Sequence, residues 1–165
     1  MGTAAVIMYL AAFLVIDKVF KIHFKLAHYL LLIFMVIMGV TIGGFAYFLY
    51  PQYDKILHAT LPFFGAIILF YALNKTALSF KMKLFLTFTT VMTFLTLQEI
   101  GEYLLDVFLN LKLQGVYLTQ KVRGLEVLTE YLDKNDDTMI DLLLGLISCM
   151  VFTLYKIIDR ELIKH

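Results

Sequence analysis

The sequence predicts an all-α fold, a polytopic transmembrane helical bundle of about five spans. Three observations predict it. Hydrophobic residues fill 61% of the 165 positions, charged residues only 16%, and the apolar residues are gathered into long blocks. Soluble domains carry about a quarter charged residues and could not hide so much apolar surface. A hydrocarbon core of about 30 Å takes about 20 helical residues. Backbone amides there must pair within a helix or a closed barrel, and the blocks lack the alternation of a barrel strand.

The expected spans are 3–16, 27–50, 56–73, 84–108 and 138–158, in a single transmembrane domain covering 1–165. The first is short, and either borrows Val19 and Phe20 beyond Asp17 and Lys18 or lies partly in the interface. The second carries Gly39 and Gly43 in GxxxG spacing, followed by Gly44, so that another helix can approach its backbone closely. Cys149 lies inside the fifth block, without a second cysteine, and reads as a small buried residue. The N-terminus reads as neither a cleaved signal nor a myristoylation site. A net charge of +1 spread between blocks leaves no nucleic-acid footprint.

Lysines and arginines set the expected orientation. With five spans, one side receives Lys18, Lys21, Lys25, Lys75, Lys81, Lys83, Lys156, Arg160 and Lys164, the other Lys55, Lys112, Lys121, Arg123 and Lys134. The positive-inside tendency places the first side in the cytoplasm, with the N-terminus outside and the C-terminus cytoplasmic. Tyr47, Tyr50, Tyr53 and Tyr103 then mark the outer border, and Tyr29, Tyr71 and Tyr155 the inner one. His23, His28 and His165 read as interfacial on the basic side. In the outer loop 109–137, Val122, Leu125, Leu128 and Leu132 share one helical face, with Lys121, Glu126, Glu130 and Lys134 elsewhere. That spacing predicts a short amphipathic helix able to lid the outer surface.

Chemistry-bearing residues gather at the outer ends of blocks three, four and five. Asp54 and His58 are one turn apart; Glu99, Glu102 and Asp106 follow i, i+3, i+7; Asp137 and Asp141 are again one turn apart. Like charges so close, at the edge of a hydrocarbon layer, need compensation. A divalent metal ion of unknown identity is one answer, with His58, Glu99, Glu102 and Asp141 as ligands and Asp54 and Asp137 as second choices. Shared protons, a charged His58, or Lys55 and Arg123 folding over the acids are others. Pro62 has no amide hydrogen for the carbonyl of His58 and leaves that oxygen free in a helical turn. Plainer roles stand beside these: Asp54, Asp137 and Thr138 as helix caps, Thr138-x-x-Asp141 as a capping box, and Asp106 as a solvated charge. HExxH, GxSxG, phosphate-loop and Cys-x-x-Cys signatures are absent.

Tyr53-Asp54-Lys55-x-x-His58, then Glu99-x-x-Glu102, then Asp137-Thr138-x-x-Asp141-Leu142 leading to Gly145, resemble in type and order the uncharacterised bacterial inner-membrane proteins of the YjdF type. More distantly they are similar to the VanZ-like proteins linked to glycopeptide-antibiotic resistance. The likeness covers about Tyr50 to Phe152. It departs at Ala59, where the family pattern has an aromatic, and at Lys134, where it has an aspartate. The resemblance implies a multi-pass protein of a bacterial or archaeal cell membrane in which the cluster matters, and names no substrate.

Two functional classes remain open on the sequence. In one, a carboxylate-held cation polarises an oxygen of an envelope lipid or lipid-linked precursor, with His58 or Glu99 as the catalytic general base, in a hydrolase or transferase. In the other, the cluster is a structural clasp or a cation, proton or ligand binding site. Membrane lipids are the expected partners in both, and nucleic acid in neither.

Overall fold

The computed structural model describes residues 2–47, 49–122 and 125–163; Arg123, Lys164 and His165 lie outside the described residues. Five helical rods fall on the five expected blocks. The first is α1 (Gly2–Phe20), which runs past Asp17 and Lys18 as expected. The second is α2 (Leu26–Val36), which continues through a π-helical turn (Ile37–Ile42) into α3 (Gly43–Ala46). Then follow α4 (Tyr53–Leu73), α5 (Phe80–Leu109) and, after two strands, α6 (Lys134–Ile163). Of these, α4, α5 and α6 are long and apolar enough to cross a membrane, and Leu26–Ile42 is a shorter apolar helix.

Local chemistry sets the ends. The Ser79 side chain accepts from Met82 N at 3.3 Å and starts α5 a turn before the apolar block begins. Asn110, in the left-handed conformation (φ 52°), ends it. Asp133 accepts from Asn135 N and Asp136 N at 3.0 and 3.1 Å, so α6 begins before the expected caps. Asp137 and Thr138 therefore sit inside the helix, and the capping-box reading of Thr138 and Asp141 is corrected. Asp54 likewise lies in the first turn of α4, with Gln52 at the cap position.

The core lies between α4, α5 and α6, around Ala66, Phe70, Leu84, Val91, Leu95, Cys149 and Phe152. Phe152 meets Phe63 and Phe70 edge-on, with centroids 5.7 and 5.8 Å away. Among the described glycines, Gly145 makes the closest approach: a Cβ there would run into the Leu95 side chain. The GxxxG glycines make ordinary contacts with α4; a Cβ on Gly39 would meet Leu61 at 3.6 Å, and one on Gly43 would meet the Tyr53 ring at 3.9 Å. In the π turn, Gly43 N bonds back to Met38 O, which also accepts from Tyr53 Oη at 2.7 Å.

At the end where α1 finishes and α2 begins, Asp17 accepts from Phe24 N (3.1 Å) and Tyr29 Oη (2.6 Å). His28, expected at the interface, is buried, with its ring centroid 4.0 Å from that of Tyr71. The amphipathic helix expected in the outer loop is also corrected. Residues 116–132 form an antiparallel hairpin of β1 (Val116–Val122) and β2 (Leu125–Leu132), in register from Tyr117↔Glu130 to Val122↔Leu125. The segment is rich in Val, Thr, Tyr and Leu, residues that suit a strand, and the cross-strand pairing outweighs the partial helical stripe.

Candidate functional site

Helices α4 and α6 begin, and α5 ends, at one end of the bundle, so all six candidate ligands are carried there. The structure brings them together and divides them in two.

On the α6 side, Lys55 is the hub. Its ammonium lies 3.1 Å from Asp54 Oδ2 and 2.8 and 2.7 Å from the two oxygens of Asp141, and it also donates to Asp137 Oδ1. Asp137 and Asp141 are each only 2% exposed and the Lys55 side chain 18%. The second oxygen of Asp137 accepts from Gly115 N at 2.8 Å. Buried charges of this kind persist only when paired and hydrogen-bonded, and both conditions are met.

On the α5 side no such hub exists. His58 and Glu99 are each 4% exposed. His58 Nε2 lies 3.8 Å from Glu99 Oε1 and 3.6 Å from Asp54 Oδ1, which links the two halves. Gln98 Nε2 is 3.4 Å from His58 Nε2 and donates to Glu102 Oε1 at 3.2 Å. With the amide facing Nε2, the ring proton belongs on Nδ1. Nδ1 and Glu99 Oε1 are buried without a hydrogen-bond partner. Among the described residues, no lysine or arginine forms an ion pair with Glu99 or Glu102.

Two triads present ligand atoms within 4.8 Å of one another: Asp54, His58 and Asp141, and His58, Glu99 and Glu102. The first already holds the Lys55 ammonium. The second combines carboxylate oxygens with an imidazole and has room in its charge balance for a cation.

Asp106, expected to be solvated, is instead buried. It accepts from Leu113 N (2.6 Å), Gln114 N (3.2 Å) and Lys134 Nζ (3.0 Å). Tyr47 Oη donates to Leu113 O and Gly115 O at 2.7 and 2.8 Å, so the base of the hairpin is tied to the cluster from both sides. Gly115 has φ 82°, and a Cβ there would meet Leu132 O at 3.0 Å, so this turn requires glycine. Sequence spacing placed Tyr47 at the outer border but not at the site, and did not single out Gly115, since both reach the site across long sequence separations. Gln98 carried a signal, its i, i+4 relation to Glu102.

No curated protein and no solved structure matches the chain. Residues 1–161 match the model of a family described as predicted membrane protein (DUF2238). That match agrees with the likeness to uncharacterised membrane proteins of the YjdF type and does not extend to the VanZ-like proteins. With nearly the whole sequence matched, the chain belongs to this family of membrane proteins, DUF2238.

Proposed function

We propose that the protein binds a divalent cation between α4 and α5 through His58, Glu99 and Glu102, and uses it as a hydrolase or transferase on the polar part of an envelope lipid or lipid-linked precursor. One observation carries this reading. Two glutamates and a histidine at the edge of the apolar layer lie close enough to share an ion and, among the described residues, have no lysine or arginine paired with them, whereas the adjoining aspartates share a lysine. Hard cations take such oxygens, and imidazole joins them for zinc, manganese or iron. The cation would polarise a phosphoryl or carbonyl oxygen, and Glu99 or His58 would give up its place on the ion to take the proton of the attacking water. The nine-to-five lysine and arginine bias supports an extracytoplasmic position in the cell membrane.

A second role belongs to the other half. The Lys55 network joins α4 to α6 and supports a structural clasp for Asp54, Asp137 and Asp141.

Metal analysis of purified protein, beside Glu99→Gln and His58→Ala, tests the cation. The expected result is stoichiometric divalent metal in the wild type, its loss in both variants, and a lower melting temperature of the wild type in chelator. A metal-free wild type that melts identically with and without chelator ends the metal reading and leaves the cluster as a clasp.

A further inference from the structure

Gln98 stands on α5 about 21 Å along the helix from Leu84, where the apolar block begins, and it is an exposed residue. A carboxamide at that depth meets little water, so it is stable only where the protein itself supplies partners. The cluster supplies two: the amino group of Gln98 donates to Glu102 Oε1, one turn on, at 3.2 Å and lies 3.4 Å from His58 Nε2. An imidazole nitrogen has one lone pair, so Nε2 cannot accept from Gln98 and bind a cation at the same time. The amino group also has only two hydrogens, which serve two of the three ligands of the triad. The third, Glu99 Oε1, lies 3.8 Å from Nε2 and is buried without a hydrogen-bond partner. A cation shared by the three residues would give every one of them a partner. There is room for the carboxamide to leave, since Gly101, three residues on along the same flank of α5, opens on free space: a Cβ there would meet nothing within 4 Å.

We propose that the Gln98 carboxamide and a divalent cation are alternative occupants of the His58, Glu99 and Glu102 triad, so that the cation binds only as Gln98 swings off His58 and Glu102. This rests on the cation reading above and deepens it by naming what regulates the site. Each occupant gains what the other gives up. The carboxamide has two hydrogen bonds to lose and strands Glu99; the cation engages all three ligands and leaves the carboxamide to find partners elsewhere. Gln98 therefore weakens cation binding by the net worth of the bonds it must break, and it holds the free ligands in place when no cation is bound.

The test uses the full chain in lipid nanodiscs, stripped with chelator and titrated with zinc or manganese alone against a chromophoric competitor. Gln98→Leu removes the donor and keeps the bulk; Gln98→Ala removes both, so the pair separates the lost hydrogen bonds from any change in packing. Both are expected to bind one ion about tenfold more tightly than the wild type, the worth of one or two such hydrogen bonds. Adding Glu99→Gln should abolish binding on either background. In the stripped protein, the nitrogen resonance of His58 Nε2 should move downfield in both variants, as an acceptor that has lost its donor. Ion binding that is unchanged or weaker in a folded Gln98 variant, while the wild type binds one ion, removes the role of Gln98 and leaves the cation reading standing. An unmoved His58 resonance removes that role as well. Binding detectable only once Gln98 is replaced supports both readings, and no ion bound by the wild type or by either variant ends both.

Discussion

On the α6 side of α4, three aspartates surround one lysine; on the α5 side, among the described residues, two glutamates and a histidine surround none. The two groups share a helix, a depth and nearly the same burial, and His58 stands within 4 Å of a carboxylate from each. Burial alone therefore does not separate the two clusters. What separates them is whether the fold supplies the countercharge itself. Lys55 supplies the countercharge of the first group, which suits its acids to holding helices together. The second group is incomplete, and an incomplete buried polar group costs stability that is retained at functional sites.

The comparison breaks most visibly at its hub. Lys55→Met should destabilise the protein by about 3–5 kcal/mol, because it strands the two buried carboxylates of Asp137 and Asp141 and the half-buried one of Asp54. Thermal or denaturant unfolding in detergent measures the loss. Adding Asp137→Asn and Asp141→Asn to that variant should recover part of it by removing the stranded charges. A single variant as stable as wild type would dissolve the distinction between the halves.

Asp106 should give an intermediate effect. Asp106→Asn keeps the size, loses the charge on Lys134, and leaves one of two backbone donors facing an amide instead of a carboxylate. A loss of about 1–3 kcal/mol is expected, with faster hydrogen exchange at Leu113 and Gln114 and little change at α4. Unaltered exchange at those two amides would mean that Tyr47 and Asp137 hold the hairpin base without it.

The smallest effect is expected at Glu99. In chelator, Glu99→Gln should change stability by less than about 1 kcal/mol in either direction, since it removes a charge that no cation neutralises and keeps the shape. A loss as large as that of Lys55→Met would place Glu99 in the clasp and merge the two halves.

Much of this was legible in the sequence. The apolar blocks named the rods because lipid leaves a helix little alternative, and helical spacing put Asp54 with His58 and Glu99 with Glu102 on common faces. Where the reading failed, the deciding partner was distant. Asp106 looks solvated until Leu113, Gln114 and Lys134 fold onto it. Asp137 looks like a cap until Asp133 takes that place and Lys55 and Gly115 take its oxygens. In the outer loop, a partial stripe at helical spacing was outweighed by cross-strand pairing.

By itself, then, the sequence determined the membrane class, the number of rods and the end of the bundle at which the acids collect, because those follow from local composition and from a period along one chain. Only the tertiary structure decided which acids share Lys55 and which, among the described residues, are left without a countercharge. Each of these depends on which helix faces which across the core, and no spacing within a single helix encodes that.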